Sequence, residues 1–221
     1  MDMLLVMILL LLISSFLFTS YKLDKNNLSF YLVIIVLVGY ILAFRNTKLL
    51  GLDFNVSCIV VSTVFPILSL YLEKFKLKET KELLGKINIV LLIFMIMLML
   101  ITGYVSSVTN DSAVYIHTIF GNNFRILVAY PLSIIISQYL YIYFYMESKE
   151  MYNNTVIILL IANSIIGILE IILFVGISYL FSVSILNLLY FLAINYVIRM
   201  LVVVIYAFLI YGIHLKKKVK K

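Results

Sequence analysis

With a single cysteine, Cys58, this chain can form no internal disulfide and no thiolate metal set, and its apolar setting suits packing. Histidine is nearly as scarce: His117 falls in a loop and His214 at the end of an apolar run, too far apart for a shared metal or general base. The only prolines, Pro66 and Pro131, both sit inside apolar runs, where each frees a carbonyl and bends a helix. Charged residues make up 12% of the chain, where a soluble domain carries roughly 25%. No His-Glu-x-x-His, no Gly-x-Ser-x-Gly and no glycine-rich phosphate loop is present. These absences argue against a soluble enzyme, and a bilayer-embedded one would lack a pair of acids, histidines or cysteines for chemistry. The sequence predicts no catalytic residue, metal or cofactor.

Hydrophobic residues, by contrast, make up 65% of the 221 positions, and mean hydropathy is +1.17. Several uncharged runs exceed the ~18 residues that read as a membrane span, so the lipid bilayer is the solvent that fits. The expected fold is all-α: a polytopic transmembrane bundle of about seven helices in one domain over 1–221. Spans are expected at Met3 to Tyr21, Leu28 to Phe44, Phe54 to Leu72, Ile87 to Asn110, Ile126 to Met146, Thr155 to Phe181 and Val183 to Leu215. Residues 1–27 form an additional N-terminal helix and loop, 28–215 a six-helix core and 216–221 a basic tail. Asp2 in place of a basic n-region, and no small-residue cleavage site before Tyr21, favour a retained first span over a signal peptide. The last run is 33 residues, or about 50 Å as helix, which predicts a short interfacial piece before Phe191 ahead of the crossing itself.

The net charge of +7 does not point to nucleic acid, because Lys216, Lys217, Lys218, Lys220 and Lys221 directly follow a span and read as an anchor on anionic headgroups. Seven crossings with this tail inside put the N-terminus outside. Thirteen lysines then face the cytoplasm, against Arg45, Lys48 and Arg125 outside, as expected at a cell membrane. The mixed-charge stretch Glu73 to Lys86 suits either a short helix on the headgroups or a solvated connector.

Two charges lie inside spans, Glu170 and Arg199, on consecutive helices. Each costs roughly 2.5 to 3.5 kcal/mol or more at bilayer depth, so each is expected to face the interior and to find a partner. Either they form a structural ion pair that sets helix register, or one of them touches a substrate or a coupling proton. Asn46, Asn55, Gln138, Asn163, Asn187 and Asn195 add amides in or near the spans, where each can serve as interhelical glue. With 17 tyrosines and 15 phenylalanines they describe a bundle able to stack a flat ring and hydrogen-bond its edge.

Five segments in order resemble the queuosine precursor transporters, the putative vitamin uptake transporter family. Asn46-Thr-Lys48 with Leu49-Leu-Gly-Leu52 resembles the Asn-x-x-x-Lys start after that family's first core helix, with shorter spacing. Phe65-Pro66 through Glu73-Lys-Phe75 is similar to the helix ending in Asp-x-x-x-Glu-x-Tyr-Gly. Arg125-Ile-Leu-Val-Ala129 with Ser137-Gln138 resembles Arg-Ile-x-x-Ala and Ser-Gln-x-x-Asp. Glu170-Ile-Ile-Leu-Phe174 resembles Asp-x-x-x-Phe, and Asn195-Tyr-Val-Ile-Arg199 with Tyr211 the final Tyr-x-x-Lys and Tyr. Departures fall at Ser69, Phe75-Lys76, Tyr141 and Ile166-Gly167, and Arg199 stands where the family has Lys.

The resemblance implies import of a small planar heterocycle, a 7-deazapurine such as 7-cyano-7-deazaguanine, with proton coupling and a homo-oligomer both open. The substrate-binding residues expected on this reading are Asn46, Arg125, Gln138, Asn163, Glu170, Asn195 and Arg199, with Arg125 at the outer entrance and Gln138 deeper. Two other readings stand beside it. One is the substrate-binding subunit of an energy-coupling-factor importer, docked through small residues such as Gly39-x-x-x-Ala43. The other is a noncatalytic membrane scaffold.

Overall fold

The computed structural model describes residues 23–49, 52–105, 118–120 and 123–219. Six long helices carry the fold: α1 (Lys25–Leu42), α2 (Ser57–Lys74), α3 (Leu77–Val105), α4 (Phe124–Met151), α5 (Thr155–Tyr179) and α6 (Ile185–Val219). A small antiparallel hairpin, β1 (Asn46–Leu49) and β2 (Leu52–Asn55), joins α1 to α2, with Asn46 opposite Asn55. All six helices are long and apolar enough to cross a membrane, which bears out the all-α bundle. The expected first span at 3–21, the loop holding His117 and the last two lysines lie outside the described residues.

The bundle is organised around α2, in which every residue from Ser57 to Leu72 is buried. Its sequence suits that place, because small side chains at Ser57, Cys58, Ser62, Thr63 and Ser69 let neighbouring helices approach closely. Their hydroxyls are satisfied largely within the helix: Ser62 donates to the Cys58 carbonyl at 2.5 Å, Thr63 to Val60 at 2.7 Å and Ser69 to Pro66 at 2.9 Å. The outer helices instead expose Phe30 and Ile34 on α1, Ile89, Ile93 and Leu100 on α3, and Ile165, Ile168 and Ile172 on α5. Such an apolar exterior around a helix-satisfied backbone is what a bilayer requires.

At one of the two prolines a tyrosine replaces the lost bond. Pro131 has no N–H to offer the carbonyl of Leu127, and that carbonyl instead accepts from Tyr40 Oη at 2.5 Å. Tyr130 returns the contact, donating to Val36 O at 2.8 Å, and the two rings stack with centroids 5.0 Å apart. This clasp requires Gly39, because a Cβ there would lie 2.3 Å from Tyr130 Oη. Gly39 packs on Tyr130 of α4 and Val61 of α2, and with Ala43 buried as well the Gly39-x-x-x-Ala43 stripe is not a free face for a partner subunit. At the second proline, Tyr206 Oη donates to Pro66 O at 3.3 Å.

Two expectations about the helix ends are corrected. Ile185–Val219 is one unbroken helix, without an interfacial piece before Phe191. Neither proline nor glycine interrupts the run from Ile185 to Tyr211, so a helix of about 52 Å continues and must tilt or project beyond the ~30 Å hydrocarbon layer. Similarly, the segment from Leu77 to Lys86 is the first part of α3 itself, since the chain breaks only at Phe75 and Lys76 and then runs on through the apolar stretch. The α5–α6 connection is tight: Phe181 adopts φ 65°, and Ser184 Oγ caps α6 by accepting from Asn187 N at 3.3 Å.

Candidate functional site

The helices bring charge together at opposite ends of the bundle. One end, here the hairpin end, holds β1 and β2, the start of α4 and the α5–α6 turn, joined by Asn46 to Tyr179 and by Arg125 to Leu180. The other, the lysine end, is closed by ion pairs between Lys25 and Glu79 at 2.8 Å and between Lys149 and Glu73 at 2.9 Å, with Tyr145 Oη donating to the same Glu73 oxygen at 2.9 Å.

Between the ends lies the charged pair expected from consecutive spans. Arg199 Nη1 donates to Glu170 Oε2, with Arg199 fully buried and Glu170 95% buried. On α5, Asn163, Gly167, Glu170, Phe174 and Ser178 recur at three- and four-residue spacing and form one buried stripe. Gly167 is what admits the guanidinium, because a Cβ there would stand 2.9 Å from Arg199 Nε. The Phe65 ring faces Arg199 Cζ at 4.8 Å, a cation–π contact in a setting without water screening. Tyr141 packs on Phe65 at 5.0 Å, donates to Ser69 Oγ at 3.2 Å and accepts from Asn163 Nδ2 at 3.2 Å. The departures from the resembled family at Ser69, Tyr141 and Gly167 thus meet around Arg199.

This centre has more polar atoms than partners. Gln138 is fully buried, and both its amide atoms are unpaired; Ser137 Oγ, Asn163 Oδ1 and the Nε and Nη2 of Arg199 are unpaired as well. Each such group costs about 1–3 kcal/mol, and in native proteins such groups are few and call for a reason. Asn163 and Arg199 hold theirs beside the pair on α5 and α6, and Ser137 and Gln138 hold theirs on the buried face of α4.

Above the pair stands a ladder of amides. Asn55 is its hub: Nδ2 donates to Ala43 O at 2.7 Å and to Asn46 Oδ1 at 2.9 Å, Oδ1 accepts from Ser57 N at 3.0 Å, and its backbone N–H donates to Asn195 Oδ1 at 3.0 Å. Asn195 Nδ2 donates in turn to Phe191 O at 2.7 Å. Beneath the ladder, Asn55, Ser57, Cys58 and Asn195 line a cavity of about 10 Å³ that reaches Glu170 and has about the size of one water. Above it, a pocket of about 370 Å³ opens among Asn46, Asp53, Tyr179, Asn187, Tyr190 and Phe191. Glu170 lies nine residues before Tyr179, roughly 14 Å below the pocket floor.

Of the residues expected from the sequence, Asn46 and Asn195 belong to the ladder, Glu170, Arg199 and Asn163 to the centre, and Gln138 to the buried face of α4. Arg125 stands apart. It is exposed at the start of α4, where Nη1 donates to Leu180 O at 2.6 Å and to Ser182 Oγ at 2.9 Å, and so pins the α5–α6 turn. It lines neither cavity, and the thirteen residues to Gln138 separate the two by about 20 Å. Asp53, Tyr179 and the hub role of Asn55 were not singled out from the sequence. Comparison with family models, with curated proteins and with solved structures found no match.

Proposed function

We propose that the chain is a membrane transporter that imports a small planar heterocycle, by resemblance a 7-deazaguanine precursor of queuosine such as 7-cyano-7-deazaguanine. The observation that carries this reading is a buried Arg199–Glu170 pair at mid-bundle in which Arg199 Nε and Nη2 and the neighbouring Asn163 Oδ1 have no protein partner. A purely structural ion pair would call for its remaining N–H groups to be satisfied, since unsatisfied buried donors cancel what the pair contributes. A solute with several donors and acceptors on one edge would satisfy them, with Phe65 and Tyr141 supplying aromatic cover. Transport also needs a closure at each end of the route that can open in turn. The amide ladder closes the hairpin end, and the Glu73 cluster closes the lysine end.

The orientation follows from charge. Lys25, Lys74, Lys76, Lys78, Lys81, Lys86 and Lys149 gather at the lysine end, while Arg45, Lys48 and Arg125 mark the other, so the lysine end is cytoplasmic and the hairpin end outside. Cells expressing the protein should accumulate radiolabelled 7-cyano-7-deazaguanine above a vector control, and unlabelled 7-deazapurines should compete. No uptake of any deazapurine, with the protein confirmed in the membrane, would overturn the substrate class.

A further inference from the structure

The outer pocket differs in chemistry from the buried centre. Its mouth carries Asp53, more than half exposed, whose ion-pair partner among the described residues is Lys48 Nζ at 3.9 Å, beyond hydrogen-bond range. A charged carboxylate and a lysine on the same small hairpin require water, so the pocket opens to the aqueous phase rather than to lipid. Its walls are aromatic: Tyr179 and Phe191 meet edge to face at 5.2 Å, and Tyr190 lines the side. At about 370 Å³ it falls in the range of small-molecule sites, whereas the cavity beside Glu170 does not.

We propose that this pocket is a capture site for a planar ring that presents an N–H edge, an amino-substituted or amidine-like heterocycle. The ring face lies on Phe191 and Tyr190, the N–H edge donates to the Asp53 carboxylate, and the amides of Asn46 and Asn187 take the remaining polar groups. A carboxylate acceptor favours donors and cations and repels anions, so the site discriminates by charge as well as by shape. The floor is the Asn46–Tyr179 hydrogen bond at 3.1 Å, the top rung of the ladder, so a bound solute sits against the contact that must open for it to descend. This deepens the transport reading by naming where the solute first docks, but binding in the pocket does not itself require transport.

The test is a binding titration on the purified full-length protein in detergent, with isocytosine as a neutral amino-bearing ring, benzamidine as a cation and benzoate as an anion. Saturable binding is expected for isocytosine and benzamidine, with benzoate at least about tenfold weaker. Asp53→Asn is nearly isosteric and exposed, so it should melt as the parent does yet weaken benzamidine about tenfold and isocytosine less. Phe191→Leu should weaken both rings by a similar smaller factor. Benzoate binding as tightly as benzamidine, an Asp53→Asn variant that binds unchanged, or no binding of any probe would each overturn the capture site. Uptake of a deazapurine without pocket binding would overturn this inference and leave the transport reading standing. Pocket binding without uptake would support the inference and count against transport.

Discussion

The two halves of the bundle are sealed by different chemistry. Toward the hairpin end, neutral amides at Asn46, Asn55 and Asn195 hold three elements together, and cavities sit above and below them. Toward the lysine end, the contacts are ion pairs between side chains one-third or more exposed, with the buried Tyr145 donating to Glu73. Amide hydrogen bonds are short-ranged and directional, so each one broken leaves an orphan unless a solute's own donors and acceptors replace it. Ion pairs near an interface are screened by salt and hold loosely, which suits a closure that responds to the surroundings more than to the cargo. On the proposed transport reading a solute would be recognised at the upper seal, whereas the lower one is better fitted to anchoring the helix ends among headgroups.

Substitutions can break this contrast. The largest effect is expected at the foot of the upper half: Glu170→Gln strands a buried guanidinium and should cost about 3–5 kcal/mol, read as a large fall in melting temperature in detergent. Adding Arg199→Gln should restore much of that stability without restoring uptake. Full uptake by the double variant would reduce the pair to a structural role, and additive losses would show that the two side chains do not interact. Next comes Asn195→Leu, which removes the acceptor for the buried Asn55 N–H and should cost about 1–3 kcal/mol, whereas Asn195→Gln keeps an uncharged amide acceptor and should cost less. A similar loss from both would show that shape rather than hydrogen bonding matters there. The smallest change is expected at the lysine end, where Glu73→Gln should cost at most about 1 kcal/mol, with the difference from the parent shrinking as salt rises. A cost at Glu73 equal to that at Asn195 would erase the distinction between the two seals.

How far the site could be read from the chain depended on how local each signal was. Glu170 and Arg199 were legible because any charge in an apolar run is costly, and consecutive spans limit where a partner can be. The amides were visible singly, but nothing in their spacing marked Asn55 as the hub. That role arises because the hairpin folds Asn55 back beside Asn46 and under Ala43, while α6 brings up Asn195 from 140 residues away. Arg125 was read as a cavity residue from its motif, yet the tight turn at Phe181 brings two acceptors within its reach at the surface.

Composition and hydrophobic run length by themselves determined that this chain is an all-α bundle of long apolar helices, because lipid admits little else for a backbone that must satisfy its own hydrogen bonds. The positions of the charges along the chain also put most of the lysines at one end. Tertiary structure alone decided what the bundle encloses. The room Gly167 makes for Arg199, the tyrosine that replaces the bond lost at Pro131, and the pocket walled by Tyr179 and Phe191 all depend on contacts between helices. Periodicity tells which face of a helix is buried, but the partner across that face is set by packing, and it is the partner that turns a polar residue into a site.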